Sequence, residues 1–205
     1  MKELAIYGGT FAPVHNGHVR AVDAMLSELN PDVLLVIPTL IPPHKQIDGL
    51  DLPETRLKML RLAFETHPQY GKKLFISDYE LNAPPPSYTV NTLRHFASPD
   101  VHITFLCGTD MFLTLEKWKE PDEIFRLCTI AVMQRENDMS ASEKILNQAE
   151  FLKNEFGADI KIINTEPIEI SSSDIRNGDD TLRKSYLPSA VYDFVKENSL
   201  YERDK

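Results

Sequence analysis

The chain has 205 residues, 42% hydrophobic and 26% charged, with a formal net charge of −9 at pH 7. That length suits one domain with a sizeable core, and the acidic balance argues against a nonspecific nucleic-acid binder or a binder of anionic membranes. The longest clean apolar run, Val33 to Ile37, is too short to cross a bilayer. Met1-Lys2-Glu3 leads straight into a strand with no signal-peptide pattern. Two cysteines outside any motif, Cys107 and Cys128, fit a free-thiol protein of the cytoplasm.

Leu4 to Tyr7 reads as a first strand and Val19 to Leu29 as a first amphipathic helix. Between them runs Gly8-Gly9-Thr10-Phe11-Ala12-Pro13-Val14-His15-Asn16-Gly17-His18. A helix amino end offers unpaired N–H groups and the positive end of a dipole, which suits phosphate. Gly8 and Gly9 let a backbone approach a ligand, Thr10 adds a hydroxyl, and Asn16 is a candidate N-cap. His15 and His18, three apart, share one helix face. Each feature alone also fits a plain strand-to-helix turn. Zinc ligation by the two histidines lacks further ligands at the right spacing, and the G-x-G-x-x-G dinucleotide fingerprint is absent.

Val33 to Ile37 predicts a second strand, ended by Pro38. The proline-rich stretch to Lys45 then lies at a strand's carboxyl end, where ligands of α/β sheets bind. Lys45 is a candidate phosphate ligand there, a solvated lysine being the plainer reading. Pro53-Glu54 opens a helix to about Thr66, and Leu74 to Ile76 reads as a third strand. Asn82 to Pro86 is a second rigid loop, and Ser87 is a candidate N-cap for the helix that follows. Val101 to Cys107 is a strong alternating strand broken by Gly108-Thr109-Asp110. Asp110 can accept from ribose hydroxyls or cap the helix Met111 to Leu115. Trp118, the only tryptophan, sits among charged residues; an exposed indole can stack on a flat ring.

Thr129 to Met133 predicts a fifth strand and Ala141 to Phe156 a long helix with an apolar stripe of Ile145, Leu146, Ala149, Leu152 and Phe156. Gly157 is its stop signal, and Ile160 to Ile163 a sixth strand. Ser171-Ser172-Ser173 then precede a short helix whose Arg176 reaches the same end one turn later, suited to gripping an anion with two parallel hydrogen bonds. Ser189 to Glu197 is the last helix. Strands alternate with helices throughout, which predicts an α/β fold with a parallel sheet covered on both faces, in a single domain over 1–205.

The string from Gly8 to His18 resembles the G-G-T/S-F-D-P-x-H-x-G-H signature of the nucleotidylyltransferase superfamily, with Ala12 where that family usually has Asp. Pro42-Pro43-His44-Lys45, Ser87-Tyr88-Thr89-Val90-Asn91-Thr92-Leu93, Gly108-Thr109-Asp110 with Trp118, and Ile170-Ser171-Ser172-Ser173-Asp174-Ile175-Arg176 resemble one branch of it in order, the bacterial nicotinate-nucleotide adenylyltransferases. The Leu187 to Tyr201 pattern matches too, and Asn91 replaces a usual Asp. The resemblance covers nearly the whole chain.

It implies a Rossmann-like doubly wound sheet and transfer of AMP from ATP to nicotinate mononucleotide. His15, His18 and Arg176 would be catalytic. Gly8, Gly9, Thr10, Phe11, Lys45, Ser171 and Ser172 would bind ATP and its phosphates. Ser87, Tyr88, Thr89, Gly108, Asp110 and Trp118 would bind the pyridine nucleotide. Magnesium would ride on the ATP phosphates, with no dedicated metal site in the protein. The partners would be the two substrates, with no nucleic acid or membrane, and a homo-oligomer such as a dimer fits the resemblance. A catalytically silent nucleotide sensor and an NAD-dependent oxidoreductase are the competing classes.

Overall fold

Six parallel strands run β1 (Lys2–Gly9), β2 (Val33–Pro38), β3 (Leu74–Ile76), β4 (Val101–Cys107), β5 (Cys128–Arg135) and β6 (Ile160–Thr165) along the chain. In the sheet their order is β3-β2-β1-β4-β5-β6. The order reverses between β1 and β4, and a crevice opens at the carboxyl ends of such a pair. This is the doubly wound arrangement expected from the alternation of elements. The computed structural model describes residues 1–43, 51–135, 139–165, 168 and 170–202, so Lys45 lies outside the described residues.

Strand periodicity divides the core in two. Ala5, Leu34, Val36, Leu106, Ala131 and Ile163 point to one face, and Ile6, Ile37, Ile103, Phe105, Ile130 and Val132 to the other. The first face is covered by α1 (Asn16–Ala24), α2 (Pro53–Phe64), α8 (Ser172–Asn177), α9 (Asp180–Tyr186) and α10 (Ser189–Glu197). The second is covered by α4 (Thr89–Phe96), α5 (Thr109–Phe112), α6 (Pro121–Leu127) and α7 (Met139–Phe156). The remaining helical turn, α3 (Tyr79–Asn82), precedes the loop that leads into α4. In β4, Thr104 and Leu106 are buried along with their alternating neighbours, because a central parallel strand has helices on both sides.

Several boundaries move. The first helix starts at Asn16, not Val19, so Asn16 is inside it and His15 takes the N-cap position. It ends in a π-helical turn, Met25–Leu29. Ser87 does not cap α4; Tyr88 holds that place without a side-chain bond, and Ser87 Oγ instead accepts from the Leu40 N–H at 3.2 Å. Gly108 rather than Asp110 is the N-cap of α5. On α7, Ile145 and Leu152 are buried and Ala149 and Phe156 pack beside them, but Leu146 is 56% exposed. Gly157 ends that helix at φ 64°, as expected. The sequence reading passed over α6 and α9, although α6 carries Pro121 and two acids in its first turn, and Asp179 caps α9 by accepting from the Leu182 N–H at 2.8 Å.

Candidate active site

β1 delivers Gly8 and Gly9 to the crevice, and the turn beyond them feeds α1. Phe11 takes a left-handed φ of 49° there, and the Ala12–Pro13 peptide is cis. A Cβ on Gly9 would fall 2.9 Å from the Phe11 ring. Phe11 itself is 1% exposed, so the ring cannot retreat and the position needs glycine. With the Phe11 ring buried, only its backbone is left to meet a phosphate. Its ring meets Tyr7 at 5.3 Å and His18 at 5.0 Å, both edge-on, and so props the histidine from beneath.

His15 and His18 come together as their spacing predicts, with ring centroids 3.7 Å apart. The His15 N–H donates to His18 Nδ1 at 3.1 Å. That bond makes Nδ1 an acceptor, so neutral His18 carries its proton on Nε2. His15 is buried, and its Nδ1 has no hydrogen-bond partner. Burial lowers the His15 pKa to about 4, with Asp174 opposing, so this ring is neutral at pH 7. Gly17 sits close against the pair: a Cβ there would lie 3.0 Å from the His15 ring, which would have to shift to admit it.

α8 closes on this turn from the far end of the chain. Ser171 caps it: Ser171 Oγ accepts from the Asp174 N–H at 3.1 Å, while the Ser171 N–H and Oγ–H both donate to the Asp174 carboxylate. Ser172 Oγ donates to the Pro13 carbonyl at 2.9 Å. Arg176 donates to the Ala12 carbonyl and, at 3.1 Å, to Ser173 Oγ. The residues expected to grip phosphate therefore also latch the phosphate loop. Position 12 contributes its backbone carbonyl to that latch, which its alanine side chain does not disturb.

The sequence reading missed Arg56. It is 1% exposed and lies under both loops. Its Nη1 donates to the carbonyls of Thr10 at 2.8 Å and Thr39 at 2.7 Å, Nη2 to Leu40 at 3.3 Å, and Nε to Asp51 at 3.2 Å. Tyr201, near the chain's other end, donates its hydroxyl to the Asp51 carboxylate. The available signal was Arg56 on an inward-facing position of α2, between Pro53 and Met59.

Beside the histidines is a cavity of about 180 Å³ lined by Gly8, Gly9, Thr10, Thr39, Glu80, Ser87, Tyr88, Thr89, Phe105, Trp118 and Lys119, among others. The uncapped amino end of α4 forms part of its wall. Trp118 is half-buried against the second core. Lys119 Nζ lies 4.4 Å from the Tyr88 ring centroid, a cation on an aromatic face. The Ser87-Tyr88-Thr89 segment and Trp118, separate in sequence, thus line one cavity. Gly108 and Asp110 are exposed and not among the lining residues, although their neighbour Met111 on α5 is one of them. The cavity is a largely apolar pocket with Tyr88, Phe105 and Trp118 in its wall.

The cytidylyltransferase-like family profile matches residues 6–178. A probable nicotinate-nucleotide adenylyltransferase of Clostridium botulinum (strain Eklund 17B) is 32% identical over 206 residues, covering 100% of each chain. One from Clostridium acetobutylicum is 33% identical over 205 residues, covering 98% of this chain and 100% of its own. Among solved structures, Plasmodium falciparum nicotinic acid mononucleotide adenylyltransferase complexed with NaAD superposes with a TM-score of 0.73 at 22% identity, over 98% of both chains. The same protein complexed with APC gives 0.71 at 21%. These structures match in fold, and the relatives match along the full length. The chain belongs to the cytidylyltransferase-like family and, within it, to the nicotinate-nucleotide adenylyltransferases.

Proposed function

We propose that the chain transfers AMP from ATP to the 5′-phosphate of nicotinate mononucleotide, giving nicotinate adenine dinucleotide and pyrophosphate, a step of NAD biosynthesis. One observation carries the reading: the loop that brings His15 and His18 together, with His18 Nδ1 held by the His15 N–H, also lends Gly8, Gly9 and Thr10 to a pocket lined by Tyr88 and Trp118. The full-length relatives named for this activity support it.

A phosphate oxygen of nicotinate mononucleotide attacks the α-phosphorus of ATP. The bond to the bridging oxygen breaks, and pyrophosphate leaves with the electron pair. No covalent enzyme intermediate is needed, so positioning and charge stabilisation supply the catalysis. His18 Nε2–H donates to the α-phosphate oxygens as charge builds there. Neutral His15 and Thr10 orient the triphosphate. Arg176 has five N–H donors, and its two observed bonds leave donors for the β- and γ-phosphates beside Ser171 and Ser172. Trp118 and Tyr88 hold the pyridine ring.

Magnesium would be held on the ATP phosphates rather than by a dedicated protein site, and when bound would supply positive charge to offset that of the leaving pyrophosphate. The donor chemistry fits: ring N–H, hydroxyl and guanidinium groups bind phosphate oxygens, whereas magnesium takes oxygen ligands and keeps several waters. A cytoplasmic setting fits two buried free thiols. Among the described residues no helix is long and apolar enough to cross a membrane.

The test is pyrophosphate release on mixing the protein with ATP, magnesium and nicotinate mononucleotide. Release with stoichiometric dinucleotide is expected; none would refute the proposal. Hydride transfer with bound NAD would point to the oxidoreductase class instead.

A further inference from the structure

Trp118 and Lys119 reach the cavity from a turn whose backbone is locally unfavourable. A short 3-10 turn, Leu115–Lys117, leads into them, and α6 begins two residues later at Pro121. Between lies Glu120, with φ 54° and ψ 60°. A left-handed backbone is unfavourable for a residue with a Cβ, and a following proline favours extended conformations instead. Neighbouring elements brace the turn. On one side Gln148 of α7 donates to the Glu116 carboxylate at 2.8 Å. On the other, Glu120 accepts from Arg94 Nη2 at 2.5 Å, and Arg94 Nε lies 3.5 Å from the Glu123 carboxylate on α6. Arg94 belongs to α4, whose amino end brings Tyr88 and Thr89 to the same cavity. Helix and turn therefore meet twice: in the cavity, where Lys119 lies on the Tyr88 ring, and at the surface, where Arg94 meets Glu120.

We propose that Arg94 is a positioning residue for nucleotide binding: through Glu120 it fixes the left-handed turn, and with it the place of Trp118 in the cavity. The effect on substrate rests on the reading of that cavity as the pyridine-nucleotide site; the effect on the turn does not. Both partners of the pair are 43% exposed, and an exposed ion pair contributes little to overall stability. It decides local geometry where the backbone opposes the shape required, because a small bias then shifts the population of the turn. A bias of that size changes the population by up to about fivefold, and apparent affinity falls with the competent fraction. Arg94 therefore acts on the pyridine nucleotide without touching it.

Trp118 is the chain's only tryptophan, so its fluorescence reports on the turn in the free protein, with no substrate present. Arg94→Met keeps the stem and removes the guanidinium. It should move the emission maximum to longer wavelength as the half-buried indole is released. It should also raise KM for nicotinate mononucleotide about two- to fivefold and leave KM for ATP unchanged, with the melting temperature within about 4 °C of wild type. Glu120→Ala should behave the same way, and the double variant should be no worse than either single one. Arg94→Lys keeps a cation within reach of Glu120 and should return both readings toward wild type. The role is overturned if Arg94→Met keeps wild-type emission and KM, if KM rises alike for both substrates, if Lys is as poor as Met, or if the double variant adds the two losses. Wild type that makes no dinucleotide would instead sink the functional reading, and the emission of Arg94→Met would still decide whether the pair holds the turn.

Discussion

Replacing Arg56 with methionine should destabilise the whole protein and slow it toward both substrates. The guanidinium makes four bonds, to the carbonyls of Thr10, Thr39, Leu40 and Asp51, in a site 1% exposed. Hydrogen bonds to a charged group contribute about 1.5–3 kcal/mol each, but they do not sum, since the loops can move and admit water. Removing one member of a buried charged network costs about 3–5 kcal/mol. At about 2–4 °C per kcal/mol for a chain of this size, the melting temperature should fall by roughly 6–20 °C. Thr10 and Thr39 both line the cavity, so kcat/KM should drop for ATP and nicotinate mononucleotide together, measured well below the lowered melting point. Displacements near 1 Å from such losses cost about a hundredfold. Arg56→Lys keeps the charge but not the planar fork and should fall between. A melting temperature within 2–3 °C of wild type for Arg56→Met, about the shift expected for 1 kcal/mol, would refute the argument, because it would mean the four bonds are replaced by water at no cost.

His18→Ala should lower kcat by about a hundredfold or more while ATP affinity changes little, since its bond strengthens in the transition state; near-normal kcat in pyrophosphate-release assays would remove it from the mechanism. Arg176→Lys should weaken apparent ATP affinity, read from KM, because lysine cannot both latch Ala12 and grip two phosphate oxygens; full activity would show that a point charge suffices. Trp118→Ala should raise KM for nicotinate mononucleotide about three- to tenfold with ATP unaffected, from a stacking contribution of about 0.5–1.5 kcal/mol; equal losses with a lowered melting temperature would make it a packing residue. His15 titrates near 4 when folded and near 6.5 when unfolded, so the unfolded chain binds the extra proton between those values and His15's contribution to stability rises with pH across that window. It amounts to about 3 kcal/mol at most, and the difference in urea-unfolding free energy between wild type and His15→Asn should show that slope, a flat difference counting against a buried neutral ring.

The sheet was legible because its strands are short apolar runs separated by amphipathic helices, and parallel strands have no other way to connect. The histidine pair was legible because i, i+3 spacing at a helix start fixes a shared face. What escaped depended on partners far away in sequence. Asn16 looks like an N-cap, yet the turn is tightened so that His15 takes the place and His18 answers it. Phe11 looks like part of a binding loop, yet the missing Cβ of Gly9 draws its ring underneath. Asp110 follows a strand as a ribose ligand would, and it lies exposed at the start of α5, beside the cavity-lining Met111. Arg56 and Glu80 were invisible as site residues: a charged residue on a helix reads as a solvated face until the structure shows which way it points.

An acidic chain of net charge −9 that binds polyphosphate must gather positive charge locally, and its arginines show how. Arg56 grips the carbonyls of Thr10, Thr39, Leu40 and Asp51. Arg176 grips that of Ala12. Arg183 donates to the carbonyls of Ile175, Arg176 and Tyr201. A carbonyl orients a guanidinium without cancelling its charge, as a carboxylate in an ion pair would. The acid among them, Asp51, has its pKa pushed up by burial, against the bond from Tyr201 and the pull of Arg176 and Arg56. By contrast, the exposed arginines Arg94 and Arg126 pair with Glu120 and Glu123. Arg94 and Arg126 are thus held by acids, and Arg56, Arg176 and Arg183 by backbone carbonyls. The same bonds tie β1's turn, β2's exit, α8 and the chain's last turn into one frame, so the groups facing the phosphates are oriented before ATP arrives. That pre-organisation is what an in-line transfer without a covalent intermediate requires.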